Sequence, residues 1–163
     1  MTNYYIAHNL IVLYNDCMSS KPNPMLQLDN QLCFALYSTS LAMTKVYKPL
    51  LDELGLTYPQ YLAMLVLWER DGLMVSELGD KLYLDSGTLT PLLKRLEAAG
   101  YISRIRDVED ERRVYITLTS SGRKLKTRAA KIPGCILSAS QCSIPELMSL
   151  TSQVQALRKK LVA

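Results

Sequence analysis

Two groups of side chains in this 163-residue sequence are equipped for chemistry. The first is a set of thiols: Cys17, Cys33, Cys135 and Cys142. No two of them form a Cys-x-x-Cys pair, and His8 is the single histidine, so a structural zinc site, which needs four nitrogen or sulfur ligands, is not expected, nor is any cofactor. Cys33 and Tyr37 are four residues apart and share one face of a helix. A phenol donating to sulfur stabilises the thiolate, the reactive form of cysteine. Cys33 also lies in the first turns of its helix, where the positive end of the dipole favours an anion, with Asp29 nearby opposing this slightly. A thiolate attacks a peroxide oxygen and becomes a sulfenic acid, which then forms a disulfide or oxidises further. The plainer alternative is that the cysteines are buried apolar filler and the tyrosines ordinary core.

The second group is polar and basic. Ser86-Gly87-Thr88-Leu89-Thr90-Pro91 opens a helical stretch, and Lys94 and Arg95 follow one turn on. Small side chains at a helix start let the backbone approach a phosphate or a base edge, and a long basic pair beyond them reaches phosphates or guanine. A strand-like pair with a charged tip adds Arg104, Arg106, Arg112 and Arg113, suited to the narrow and strongly negative minor groove. Asp110 stands two residues before Arg112, and its expected role is to pair with a wing arginine such as Arg104 and fix the tip. Net charge is only +4, so placement of the charge carries more weight than its sum.

The elements that must position these groups follow from periodicity and caps. Apolar residues recur at near-helical spacing from Leu32 through Leu36, Met43, Val46 and Leu50 to Leu54, giving a helix over 29–54 that Pro49 kinks or divides and Gly55 ends. Thr57 caps a nearly all-apolar helix that Asp71-Gly72 closes. A short helix over 76–82 with Ser76 as N-cap is followed by one with Ser86 as N-cap that ends at Gly100. Segments 101–106 and 113–118 read as strands joined by an exposed loop. Thr119 starts a basic helix that Ile132-Pro133-Gly134 interrupts, and Ser143 with Glu146 forms a capping box for a last helix striped by Leu147, Leu150, Val154, Leu157 and Leu161. Cys135, Ser138 and Cys142 fall on one face if the helix between runs that far. Short helix, tight turn, polar-faced helix and hairpin make a winged helix-turn-helix. The expected fold is mainly α with a small β-hairpin wing: 75–119 reads DNA, while 29–54 and 120–161 are flanking helices whose apolar stripes, left exposed by a lone module, fit a use as dimerisation helices. Residues 1–25 are expected to be an extension outside the main domain, 26–163, with Met25 an alternative start. The apolar run 6–13 is too short to cross a bilayer and has no signal-peptide flanks, so a reducing cytoplasm and no membrane partner are expected.

The segment D-V-E-D-E-R-R-V-Y-I-T-L-T-S-S-G (107–122) resembles the wing signature of the MarR family of transcriptional regulators, and L-D-S-G-T-L-T-P-L-L-K-R-L-E-A-A-G-Y-I before it is similar to that family's recognition helix. The likeness spans about residues 28–161. L-C-F-A-L-Y, Val46-Tyr47, Leu56-Thr57-Tyr58-Pro59-Gln60-Tyr61 and Ile132-Pro133-Gly134 resemble the organic hydroperoxide repressor subgroup. That resemblance implies a homodimer on a pseudo-palindromic DNA operator, Cys33 as peroxide-sensing thiol, and Tyr37, Tyr47 and Tyr58 as phenols that hydrogen-bond it. It further implies, for the two-cysteine members, a resolving thiol here at Cys135 or Cys142, with apolar filler the alternative for both. The alternative function is a repressor of the same fold released by a small phenolic or aromatic ligand, with Cys33 incidental. An enzyme is not expected, since a thiol peroxidase would need a histidine or an arginine-rich thiol pocket.

Overall fold

The computed structural model describes residues 23–110 and 113–162. The chain divides into two compact units, Met1–Thr44 and Lys45–Ala163. In the first, two 3-10 turns, Pro24–Leu26 and Leu28–Asn30, lead into helix α1, Leu32–Asp52, which continues into the second unit. The predicted helix start at Asp29 is therefore three residues early. The amide of Asn30 donates to the Pro24 carbonyl (2.8 Å) and that of Gln31 to the Met25 carbonyl (2.6 Å), so these side chains fold the entry into turns. Pro49 lies inside α1 without dividing it.

The second unit holds the remaining elements. Helix α2, Tyr58–Glu69, is capped by Thr57, whose N–H donates to Gln60 Oε1 (2.8 Å). It buries Tyr61, Ala63, Met64 and Leu67, as its unbroken apolar run requires. Strand β1, Leu73–Met74, was not foreseen. It has two residues and exists through its pairing with β3, Leu73 opposite Ile116. Helix α3, Val75–Leu82, starts one residue before the expected position: Met74 is the N-cap and its N–H donates to Glu77 Oε2 (2.8 Å), so Ser76 is inside the helix rather than its cap. Helix α4, Ser86–Ala98, is likewise capped by Asp85 and not by Ser86.

Strands β2, Ile102–Arg106, and β3, Val114–Leu118, pair antiparallel, and the sheet order is β1-β3-β2. Helix α5, Ser120–Ala129, starts at the Thr119 cap; α6, Ile132–Ser140, and α7, Ile144–Leu161, follow. The expected interruption at Ile132-Pro133 is the break between α5 and α6, and Ser143 with Glu146 forms the expected capping box of α7. The core of this unit is apolar: Met64, Leu67, Leu78, Leu89, Leu93, Leu96, Ile102 and Ile116 are essentially inaccessible. Each such leucine contributes about 1.5–3 kcal/mol of burial.

Glycine fits two joints because nothing larger does. Gly79 in α3 would, with a Cβ, approach the Leu84 carbonyl oxygen to 2.9 Å, so the turn between α3 and α4 closes over hydrogen alone. Gly122 in α5 is buried where a Cβ would run into the carbonyl oxygen of Tyr101. Gly134 in α6, by contrast, has open space around its Cα. Gly122→Ala is therefore expected to lower stability by about 1–3 kcal/mol, the usual cost of overpacking. Gly134→Ala is expected to raise it by about 0.5–1 kcal/mol through helix propensity. Urea unfolding midpoints of the two variants check this; equal midpoints would contradict the packing at Gly122.

Candidate nucleic-acid interface

The start of α4 is built around a carboxylate. Asp85 accepts the Thr88 N–H at 2.9 Å and the Thr88 hydroxyl at 2.9 Å. These bonds, the backbone one first, hold its carboxyl below the usual aspartate range. A side-chain anion thus already occupies the positive end of the helix, so that end offers its neighbours' side chains, rather than bare amides, to whatever approaches. Ser86, Gly87, Thr88 and Pro91 are exposed; Thr90 is half-buried with its hydroxyl donating to the Ser86 carbonyl (2.7 Å). On the opposite face Leu89, Leu92, Leu93 and Leu96 are buried and fix the helix to the core. Lys94 and Arg95 are exposed, and among the described residues neither has an ion-pair partner. A hollow of about 450 Å³ lies between α3, the start of α4 and the base of β3, lined among others by Ser76, Asp85, Ser86 and Arg113.

The wing departs from expectation at Arg104. Its guanidinium binds Glu97 of α4, Nε to Oε2 at 2.7 Å, and its backbone N–H adds a bond to Oε1 at 3.2 Å. The expected pairing with Asp110 is replaced by this clamp, because strand β2 runs back along α4 and brings residue 104 beside residue 97. Asp110 instead pairs with Arg113, Oδ2 to Nε at 3.6 Å. Asp107 Oδ1 accepts the N–H groups of Glu109 (2.8 Å) and Asp110 (3.2 Å), and the Asp107 N–H donates to the Arg113 carbonyl (2.9 Å), which closes the tip. Arg106 is exposed, and Arg112 lies outside the described residues.

Asp71 carries more than the helix-ending role the sequence indicated. Its Oδ1 accepts the N–H groups of Gly72 (2.9 Å) and Leu118 (2.8 Å), and its Oδ2 binds Arg123 at 2.6 Å. It ties α2's end to β3 and α5. The signal for this was absent locally, since both far partners are 47 and 52 residues away.

Cys33 is exposed on α1 in the first unit, and Tyr37 on the same face is also exposed. Tyr47 and Tyr58 meet in the second unit with ring centroids 4.7 Å apart and planes tilted by 51°, and Tyr61 lies 6.0 Å from Tyr47. Burial, then the neighbouring phenols, push Tyr47 up to about 12, and burial raises Tyr58, so both remain protonated donors at neutral pH. Tyr61, missed from the sequence as part of this cluster, is raised for the same reason and meets Trp68 edge-on at 6.2 Å. Cys135 is half-buried in α6. Cys142 does not share its helical face: α6 ends at Ser140, Gln141 turns left-handed (φ 54°), and the Cys142 thiol donates to the Ser140 carbonyl at 3.3 Å. Among the described residues no cluster of His, Cys, Asp or Glu is placed to hold a metal ion, and no helix is long and apolar enough to cross a membrane.

Comparison with known proteins places this geometry in context. Residues 45–129 match the family model described as transcriptional regulator SarA/Rot. The chain is 55% identical over 136 residues to the organic hydroperoxide resistance transcriptional regulator of Bacillus subtilis, covering 83% of this chain and 92% of that protein. A structure of reduced AbfR bound to DNA superposes with a TM-score of 0.70 at 35% identity, covering 83% of this chain and 95% of that one. A disulfide-formed AbfR superposes at 0.58 with 36% identity, over 82% and 89%; AbfR comes from Staphylococcus epidermidis.

The clamp gives a pH-dependent expectation. The Arg104 hydrogen bond, foremost, holds the Glu97 carboxyl below the ordinary glutamate range. Its contribution is present above the unfolded-state value and is lost as pH falls through the lower folded value. Carboxyl chemical shifts should show Glu97 titrating below exposed glutamates, and Arg104→Ala should move it back up. A Glu97 titration indifferent to that substitution would contradict the clamp.

Proposed function

This chain belongs to the MarR family of transcriptional regulators, in its organic hydroperoxide repressor branch, and from that premise we propose that it works as a thiol-gated homodimer on a pseudo-palindromic operator. It is a redox-sensing DNA-binding repressor. The observation that best supports the DNA reading is α4 itself: a helix anchored by four buried leucines that exposes Ser86, Gly87, Thr88, Pro91, Lys94 and Arg95, with Thr90 half-buried among them. In our reading the N-terminal part of α4 meets base edges in the major groove, Lys94 and Arg95 meet phosphates, and Arg106 and Arg112 reach the minor groove. Arg104 acts differently from the first expectation, holding the wing to α4 through Glu97, while Asp110 steadies the tip through Arg113. Regulation rather than turnover is the activity we assign.

For the dimer, the support is uncovered apolar surface. In the first unit Leu32, Leu36 and Leu41 are exposed, and α7 buries none of its residues while exposing Ile144, Met148, Leu150 and Val154. Apolar stripes of this size call for a partner. A second copy on a two-fold axis would cover them and set two readers one helical turn of DNA apart, about 34 Å.

For the switch, we assign Cys33 as the sensing thiol, with Tyr37, Tyr47 and Tyr58 as the phenols that hydrogen-bond it. The thiolate sulfur attacks one peroxide oxygen; the O–O bond breaks, the alcohol leaves with a proton, and Cys33 becomes a sulfenic acid. Where a second thiol resolves it, Cys135 or Cys142 attacks the oxidised sulfur, a disulfide forms and water leaves. The disulfide-formed AbfR is a precedent in a relative. A second reading draws on one observation: a largely apolar hollow of about 240 Å³ beside Tyr61, Leu65, Trp68 and Pro133, of a size for a single-ring compound. In that reading a phenolic ligand, not Cys33, releases the DNA.

Operator binding by wild type and Cys33→Ser with cumene hydroperoxide or salicylate separates the two. Wild type is expected to lose DNA with the peroxide and not with salicylate, and Cys33→Ser to keep it under both. Release of the serine variant by peroxide as readily as wild type would end the sensor assignment.

Arg112→Ala is expected to weaken operator binding by about tenfold, with a log–log salt slope shallower by about one. Unchanged affinity and slope would remove this arginine from the interface.

A further inference from the structure

Tyr83 occupies the turn of the helix-turn-helix in a backbone conformation that its side chain disfavours. Its φ and ψ are 56° and 39°, in the left-handed region. The Leu84 N–H donates to the Gly79 carbonyl (3.0 Å) and the Tyr83 N–H to that of Asp80 (3.4 Å), so Tyr83 holds the position after a helix end where glycine is the usual residue. A bulky residue there is uncommon and points to something that its side chain supplies. The ring is not buried: Tyr83 is 63% exposed. Its hydroxyl makes no hydrogen bond among the described residues. What the ring does have is a cation over its face, the Arg158 guanidinium carbon 4.3 Å from the centroid.

Arg158 sits in the last turn of α7. Among the described residues its guanidinium makes no ion pair or hydrogen bond, and it lies over the Tyr83 ring. No residue of α7 is buried and only Leu147 and Leu157 are half-buried, so this contact links a long, largely uncovered helix to the reading head. Tyr83 stands two residues before the Asp85 cap of α4, so a push or pull on its ring acts on the start of the reading helix.

We propose that Arg158 and Tyr83 form a positioning pair, a cation–π strut by which α7 sets the orientation of α4 for operator binding. The pair touches no DNA in this assignment and acts through the turn. It rests on the reading of α4 as the DNA-recognition helix. A cation–π contact at an exposed site is worth enough to change an equilibrium by about two- to fivefold.

The test uses the full-length reduced protein and a duplex enriched by wild type from a random-sequence pool. Arg158→Met keeps the long stem and removes the cation; it is expected to weaken binding about fivefold with the salt slope unchanged. Tyr83→Phe keeps the ring and is expected to bind as wild type, whereas Tyr83→Gly suits the backbone and is expected to keep or raise the unfolding midpoint while losing the same fivefold. Combining Arg158→Met with Tyr83→Gly is expected to cost no more than either alone, as for two halves of one contact. Wild-type affinity in Arg158→Met, or additive losses in the double variant, would overturn the strut. A slope shallower by about one in Arg158→Met would overturn it in favour of a direct phosphate contact. Failure of wild type to enrich any duplex would instead bring down the DNA-binding reading on which the strut rests.

Discussion

The reading head is held together at the backbone of Tyr101. Its N–H donates to the Leu96 carbonyl (3.0 Å), which ends α4 through the left-handed Gly100. Its carbonyl accepts the Thr119 N–H (3.0 Å), which brings the end of β3 back beside the start of β2, and Gly122 closes over the same oxygen. Its phenol reaches the Leu54 carbonyl at 3.0 Å. Three stretches of chain, at Leu54, at Leu96 and at Thr119 to Gly122, therefore meet on one residue. Trp68 fastens the same joint from α2, donating its indole N–H to the Gly122 carbonyl at 2.9 Å. Backbone bonds, two side-chain donors and a glycine that admits no Cβ thus converge on this joint, and they tie the wing and the end of α4 to the rest of the unit.

Charge in this protein is sorted by what it can pair with. The basic run of α5 and its exit looks like a polyanion surface when counted along the chain, but most of it is committed inward. Arg123 binds Asp71, Lys126 donates to the Trp68 carbonyl (3.0 Å), Arg128 to the Glu53 carbonyl (2.5 Å), and Lys131 pairs with Glu53 at 2.6 Å. The Lys131 bond, chiefly, lowers the Glu53 carboxyl and raises the Lys131 ammonium above their ordinary values. Both ends of that pair are exposed, so solvent screens it and its worth is mainly directional. Lys94, Arg95 and Arg106 keep their guanidinium and ammonium groups without ion-pair partners among the described residues, and they stand on α4 and the wing. A modest net charge of +4 thus leaves α4 and the wing with unpaired cations, while four cations of α5 and its exit are committed to partners.

Much of this was legible in the sequence wherever structure is local. The helices follow from 3.6-residue periodicity, the strands from alternation at Val114, Ile116 and Leu118, and the Thr57, Thr119 and Ser143 caps from residue type and spacing. The errors fall where two neighbours compete or where the partner is distant. Ser86 and Asp85 are both good caps; the carboxylate wins because it takes two bonds from Thr88 at once. Ser76 loses to a cap made from the other side, by Glu77 reaching back to the Met74 N–H. Strand β1 is too short to carry any periodicity. Arg104 chose Glu97 over Asp110 because the direction of β2 along α4 is a tertiary fact. Cys142 left the helical face because Gln141, which gives no glycine-like signal, adopts a left-handed turn.

The anchoring of the head constrains how a thiol can control it. Sulfenic acid changes one side chain and a disulfide joins two, and neither removes an apolar contact that anchors α4, since none of Cys33, Cys135 and Cys142 belongs to that core. The elements free to respond are those whose burial is incomplete in a single chain: the exposed stripe in the first unit, which carries Cys33, and α7, which has no buried residue. In the proposed dimer these surfaces exist only against a partner, so their packing is the two-state element and the reading head its load. Under that proposal, oxidation at Cys33 releases DNA without melting α4 or the wing, by repacking the helices that set the spacing and tilt of two intact heads, since both must fit one face of the duplex at once.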